Sequence, residues 1–378
     1  MFSSLKFSLP ATRRLVLLTV LTVVTFALVT LPATAQKATP TILVSDIANV
    51  GTVNDTNLVN PWGLAASPSG PWWVSDNNAG VSTLYDGTGT PKSLVVAIPQ
   101  WDDTPGGSPD GIVFNSTSDF ALSPGNAATF IWATEDGTIQ GWNRNVNPTM
   151  AVIKVNNFPN AVYKGLAMAS AGGANYLYAA NFRGGTVDVF DKSFSPHSFG
   201  SGAFTDPNIP SGFAPFNVAN IGNGKLAVTY AKQNSEKHDN VKGPGNGYVD
   251  VYDTSGVLQM RLPHLVYLNA PWAVVIAPAS GFGGFSGDIL VGQFGSGAIV
   301  AYTQSGQFVG LLFDPAALQL QIESLWGLGF GNGSGSGPTT TLYFTAGTFE
   351  EAHGTFGTIT CCSATALTPT KQQSVIRK

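Results

Sequence analysis

Charge is scarce in this chain. Of 378 residues only 18 are basic and 22 acidic, so charged residues make up 11%, against roughly 25% in an ordinary soluble protein. Long amphipathic helices need Lys, Glu and Arg on their wet face. Coiled coils, helical bundles and helical solenoids are therefore excluded. A formal net charge of -4 gives no basic footprint for nucleic acid. Cysteine is nearly absent, and its two copies, Cys361 and Cys362, are adjacent. A disulfide framework needs spaced pairs, so they read either as two thiols in a C-terminal tail or as a vicinal bridge. The chain has 4 histidines and no Cys/His spacing of the metal-binding kind. It also lacks a Gly-x-Ser-x-Gly elbow, a His-Glu-x-x-His pair, a Walker loop and a dinucleotide fingerprint. What it has in quantity is glycine (44), proline (24) and hydrophobic residues (43%). That composition fits a turn-rich β protein with a sizeable core.

Residues 1–35 read as an address. Lys6, Arg13 and Arg14 precede an apolar run from Leu15 to Leu31, and Ala33-Thr34-Ala35 forms a small-x-small site before Gln36. Together these make a secretory signal peptide; a retained N-terminal anchor is the alternative. The adjacent arginines leave export by the general or the twin-arginine route open. Cleavage near Ala35 removes three basic residues and no acid, leaving a mature chain of net -7. No later run is long and apolar enough to span a bilayer. The expected location is the periplasm or outside a bacterial cell, and the expected state a monomer.

One short pattern recurs six times: a polar or aromatic residue, a small residue, then alternating apolar residues. It appears as Trp62-Gly63-Leu64, Asp110-Gly111-Ile112, Lys164-Gly165-Leu166, Phe216-Asn217-Val218, Trp272-Ala273-Val274 and Trp326-Gly327-Leu328. The spacings are 48, 54, 52, 56 and 54 residues. Each copy is followed by a second strand, a turn and a third strand, several of which end in aromatic-Asp, such as Tyr85-Asp86-Gly87 and Tyr252-Asp253. Four strands per unit of about fifty residues mark a β-propeller blade. The chain is thus expected to form one all-β, six-bladed β-propeller over residues 36–360, followed by a tail at 361–378. The last copy runs out after its third strand, while an orphan strand, Thr41–Ile47, precedes the first. An open ring would expose two sheet edges, so Thr41–Ile47 is expected to supply the outer strand of blade six.

The run Asn57-Leu58-Val59-Asn60-Pro61-Trp62-Gly63-Leu64, with Trp73-Val74-Ser75-Asp76-Asn77 and Pro109-Asp110-Gly111-Ile112-Val113-Phe114-Asn115, resembles a family of secreted bacterial six-bladed propellers. More distantly the blades are similar to NHL repeats. The resemblance covers about residues 40–360 and implies fold and compartment, but no reaction. Some members of that family carry a C-terminal PEP-type sorting signal; the end of this chain, Gln372–Lys378, has none.

Functional groups in a propeller tend to occupy equivalent positions in successive blades, around the mouth where inner strands begin. The inner-strand column is Trp62, Asp110, Lys164, Phe216, Trp272 and Trp326; the second-strand column is Asp76, Glu135, Asn181, Tyr230, Gln293 and Ala346. Both are expected to face one mouth and line a ligand site. Asp76, Asp110, Glu135 and Asn181 form an oxygen-rich set suited to a hard cation such as Ca²⁺, though Asp and Asn also end strands because they start turns. Trp62, Trp272 and Trp326 suit stacking on sugars or cations, or packing between blades. His238 and His353 lie in the two longest loops near carboxylates and are the candidates for acid-base catalysis; His197 and His264 lie in connectors. Three functions remain open: a binding module for a small molecule, glycan or protein; a metal-dependent hydrolase or lyase similar to propeller lactonases, whose opening acid Glu323 resembles in position; and a structural envelope protein.

Overall fold

The computed structural model describes residues 37–361, and the expected signal segment and Cys362 onward lie outside them. Six sheets, antiparallel except for one short parallel edge strand in the sixth, surround a central channel. The inner strands are Pro61–Ala66, Pro109–Phe114, Tyr163–Ala171, Phe213–Asn220, Pro271–Ile276 and Leu325–Phe330. The second strands are Trp72–Asp76, Phe130–Thr134, Ala174–Asn181, Lys225–Lys232, Ile289–Gln293 and Leu342–Ala346. The fold expected from the repeat is the fold observed. The ring closes as expected too. Ala38–Ser45 pairs antiparallel with Thr355–Cys361 as the fourth strand of blade six. That strand starts and ends earlier than the expected Thr41–Ile47. Cys361 closes a strand opposite Ala38 rather than opening a tail, and it is not a free thiol.

Local chemistry explains the repeating turn. Asp86 accepts hydrogen bonds from the backbone N–H groups of Thr88 and Thr90, Asp191 from those of Ser193 and Ser195, and Asp253 from those of Ser255 and Val257. Each carboxylate thus satisfies the backbone of the turn after its own third strand. The aromatic residue before each, Tyr85, Phe190 or Tyr252, is buried between blades.

Blade-to-blade contact is closest at the small residues of the inner strands. A Cβ on Gly63 would collide with the carbonyl of Asp110, one on Gly111 with the amide of Leu166, and one on Gly165 with Asn217. A Cβ on Gly327 would lie 2.6 Å from the carbonyl of Trp62, which closes the circle from blade six to blade one. Asn217 donates to the carbonyl of Trp272 at 2.8 Å. The glycines that follow Trp62, Asp110, Lys164 and Trp326 are therefore what lets those inner strands converge.

Gly111→Ala is expected to lower stability by about 2–3 kcal/mol, the usual cost of forcing atoms into a packed core. Gly310→Ala, in an outer strand with its nearest neighbour at 3.9 Å, should change it by no more than about 0.5 kcal/mol. Urea melts of both variants give the comparison, and equal midpoints would remove the close-approach argument.

Candidate functional site

The inner column does converge on the channel. Trp62 and Trp326 stack with centroids 3.4 Å apart and planes 17° apart. Phe216 and Trp272 meet both indoles at an angle, with centroids 5.8 to 6.4 Å away. Blades one, four, five and six thus plug the channel with rings. Blades two and three contribute Asp110 and Lys164 instead, and both are buried.

A buried lysine needs compensation. Lys164 forms an ion pair with Glu135, has Asp239 at 3.8 Å, and lies 5.0 Å from the Trp62 ring centroid. Burial alone would drive its proton off, but the Glu135 carboxylate outweighs that and raises its pKa. Asn77 ties the group together, donating to Asp110 at 2.6 Å and to Glu135 at 3.1 Å. Burial, and then the Glu135 charge, push the Asp110 carboxyl well above the usual carboxylate range; Lys164 offsets this only in part. One Asp110 oxygen, Oδ2, has no hydrogen-bond partner among the described residues.

Above this floor opens a pocket of about 340 Å³, lined among others by Asn60, Asn77, Glu135, Lys164, Asp239 and Glu351. Asn60 holds its far wall. It accepts from the Trp326 indole at 3.0 Å and donates to Glu351 at 3.1 Å. Burial raises the Glu351 pKa, against the opposing effects of Lys242 and the Asn60 amide. The loop between the second and third strands of blade four brings His238, Asp239, Asn240 and Lys242 to the rim, where His238 Nδ1 lies 2.9 Å from Asp239 Oδ1.

The second-strand column is corrected. Asp76 points into blade one and accepts from the Thr83 amide at 2.9 Å; burial raises its pKa well above the usual range. Asn181 caps its own turn, accepting from the Gly184 amide and donating to Asp188. Tyr230 is buried against the Tyr252 hydroxyl at 2.7 Å, and Gln293 accepts from the Asn269 amide at 2.8 Å. None of these reaches the pocket, and Ala346 brings no polar group. The physical reason is the twofold alternation of strand side chains. The mouth-facing position is one residue later, at Asn77 and Phe294. The exception is Glu135. Thr134, not Glu135, is the register partner of Pro109, as Asp76 is of Pro61. Glu135 therefore belongs to the later column.

The expected cation set does not assemble, because Asp76 and Asn181 are held inside their blades. Glu135, His238 and Asp239 do place one ligand atom each within 4.8 Å of one another. Of the two candidate histidines, only His238 stands at the mouth. His353 Nδ1 lies 2.7 Å from Asp46, far off in sequence, and that carboxylate also accepts from the Gly354 amide. His353 thus anchors its loop to the ring-closing segment. Glu323 lines a neighbouring pocket of about 370 Å³.

An uncharacterised protein of Acanthamoeba polyphaga mimivirus is 30% identical over 333 residues, covering 84% of this chain and 78% of its own. This chain belongs to the same family as that viral protein. The relative is viral, and this match gives no support to the secreted bacterial family expected from the sequence. No protein-family profile matches the chain. Two solved propellers share the fold. A glucose dehydrogenase superposes with a TM-score of 0.51 at 12% identity, over 85% of this chain and 99% of its own. A streptogramin B lyase gives 0.50 at 12%, over 86% and 98%. Among the described residues no helix is long and apolar enough to cross a membrane.

Asp110 has a folded pKa above its unfolded one, so the stability it contributes is complete below its ordinary value of 3.8 and declines as pH rises toward the folded value. Asp110→Asn keeps the acceptor for Asn77 and cannot ionise. Its stability relative to the parent should therefore grow as pH rises from about 4 to 8, by at most about 1.4 kcal/mol per unit. Urea melts across that range that run parallel for the two proteins would show that Asp110 is not held neutral.

Proposed function

We propose that the protein is a binding module that holds a small polar molecule in the mouth of the propeller. One observation carries the reading. Charged and amide side chains from several blades converge on a pocket of about 340 Å³ whose floor is sealed by stacked rings. Ligand sites are commonly concave, with a few polar groups fixed over an apolar floor. Two nitrogens here, Trp62 Nε1 and Asn240 Nδ2, are buried without a partner among the described residues, and such groups ordinarily bind something. We further propose that the molecule works as an exported monomer, on the strength of residues 1–35; a purified mature chain starting elsewhere than near Gln36 would count against export.

A second reading is supported by the Glu135, His238 and Asp239 triad: a divalent cation bound at the rim, with hydrolase or lyase chemistry. The same assay separates the two. Thermal melts are followed with monosaccharides, amino acids, aliphatic amines, Ca²⁺, Mn²⁺ and Zn²⁺, on the parent, Asn77→Ala and His238→Ala. The binding-module reading expects an organic compound to raise the midpoint in the parent and His238→Ala, and to lose at least tenfold in affinity in Asn77→Ala. Stabilisation by a cation alone, abolished in His238→Ala, would favour the metal reading. No shift with any organic compound would sink the leading one.

A further inference from the structure

The floor of the mouth continues outward as a stack of three rings. Trp62 lies on Trp326, and Trp326 lies on Phe294 with centroids 3.8 Å apart and planes 20° apart. Each end of the stack is capped by an ammonium. Lys164 stands 5.0 Å from the Trp62 centroid, and Lys242 stands 4.3 Å from the Phe294 centroid. The two lysines differ in every other respect. Lys164 is 1% exposed and locked to Glu135. Lys242 is exposed, sits in the blade-four loop, and among the described residues makes no ion pair or hydrogen bond through its ammonium. Phe294 is buried beneath it.

Lys242 and Phe294 also line both mouth pockets, the one of about 340 Å³ and the neighbour of about 370 Å³ that holds Glu323. Across the two pockets the acids are Glu135, Asp239, Glu323, Glu350 and Glu351, against Lys164 and Lys242. The acidic excess favours a cation there. An exposed ammonium over a ring is held by only about 0.5–1 kcal/mol, so a second cation can take its place at little cost.

We propose that the outer face of Phe294 is a cation subsite that Lys242 occupies from within the chain, and that the ligand of the mouth carries an ammonium group which displaces it. This rests on the mouth being a ligand site. The competing side chain makes the test specific, because removing a residue should improve binding. Choline and cadaverine serve as cationic probes and D-glucose as a neutral one, with tryptophan fluorescence reporting through Trp326. In Lys242→Met the affinity for at least one cationic probe should rise about three- to tenfold, with that for glucose unchanged. Phe294→Leu, checked for folding by circular dichroism, should lose the cationic probe tenfold or more. Weaker or unchanged binding of both cations in Lys242→Met overturns the proposal, and so does glucose binding that rises equally. If neither the cations nor any compound of the wider panel binds the parent, the mouth reading itself falls. If glucose binds and the cations never do, only the cation subsite falls.

Discussion

The close approach of the six inner strands governs the molecule. At Gly63, Gly111, Gly165 and Gly327 there is no space for a Cβ, because the neighbouring blade's backbone or Asn217 is already there. Strands that meet this tightly leave a narrow axis. The residue before each small one projects into that axis, so six side chains must share it. Four rings fill most of it by stacking and edge contacts. The channel is consequently plugged, and the depth of the mouth pocket is set by the height of that plug.

The plug is not symmetric, and its asymmetry makes a site. Asp110 and Lys164 occupy the sector where two further rings would have completed an apolar seal. A lysine there is tolerable only with a carboxylate beside it, which Glu135 supplies from the end of the neighbouring blade's second strand. Asn77 then bridges Asp110 and Glu135. One departure from the ring pattern thus draws in a polar network, and the network forms one wall of the pocket. The opposite wall stays aromatic, ending at Phe294.

The repeat was legible because its signal is local. A channel residue, a small residue and alternating apolar residues are adjacent in sequence, and their sixfold return fixes both blade number and inner column. Ring closure was legible as a count, one strand missing at one end and one spare at the other. The second column was not legible, because strand pairing decides it. Irregular register between Pro61 and Leu64, and again in blades two, three, four, five and six, leaves no sequence mark that tells Asp76 from Asn77. Only the observed strand ends separate the two columns: Asn77, Glu135 and Phe294 all directly follow their second strands. His353 was opaque for a different reason. Its partner Asp46 lies 307 positions away, across the seam that closes the ring.

Lys164 also bears on how a metal and a ligand would compete. Its ammonium already lies between Glu135 and Asp239, two of the three groups whose ligand atoms come within 4.8 Å of one another at the rim. A divalent cation entering there would face one positive charge at short range, in a partly buried setting where screening is weak. It would also have to draw Glu135 away from a lysine that has no water to fall back on. A ligand that leaves the Lys164 and Glu135 pair intact, and uses the acids further out, avoids both penalties. The buried pair therefore turns the free acidity of the mouth toward Glu323, Glu350 and Glu351, on the side where Lys242 rests on Phe294.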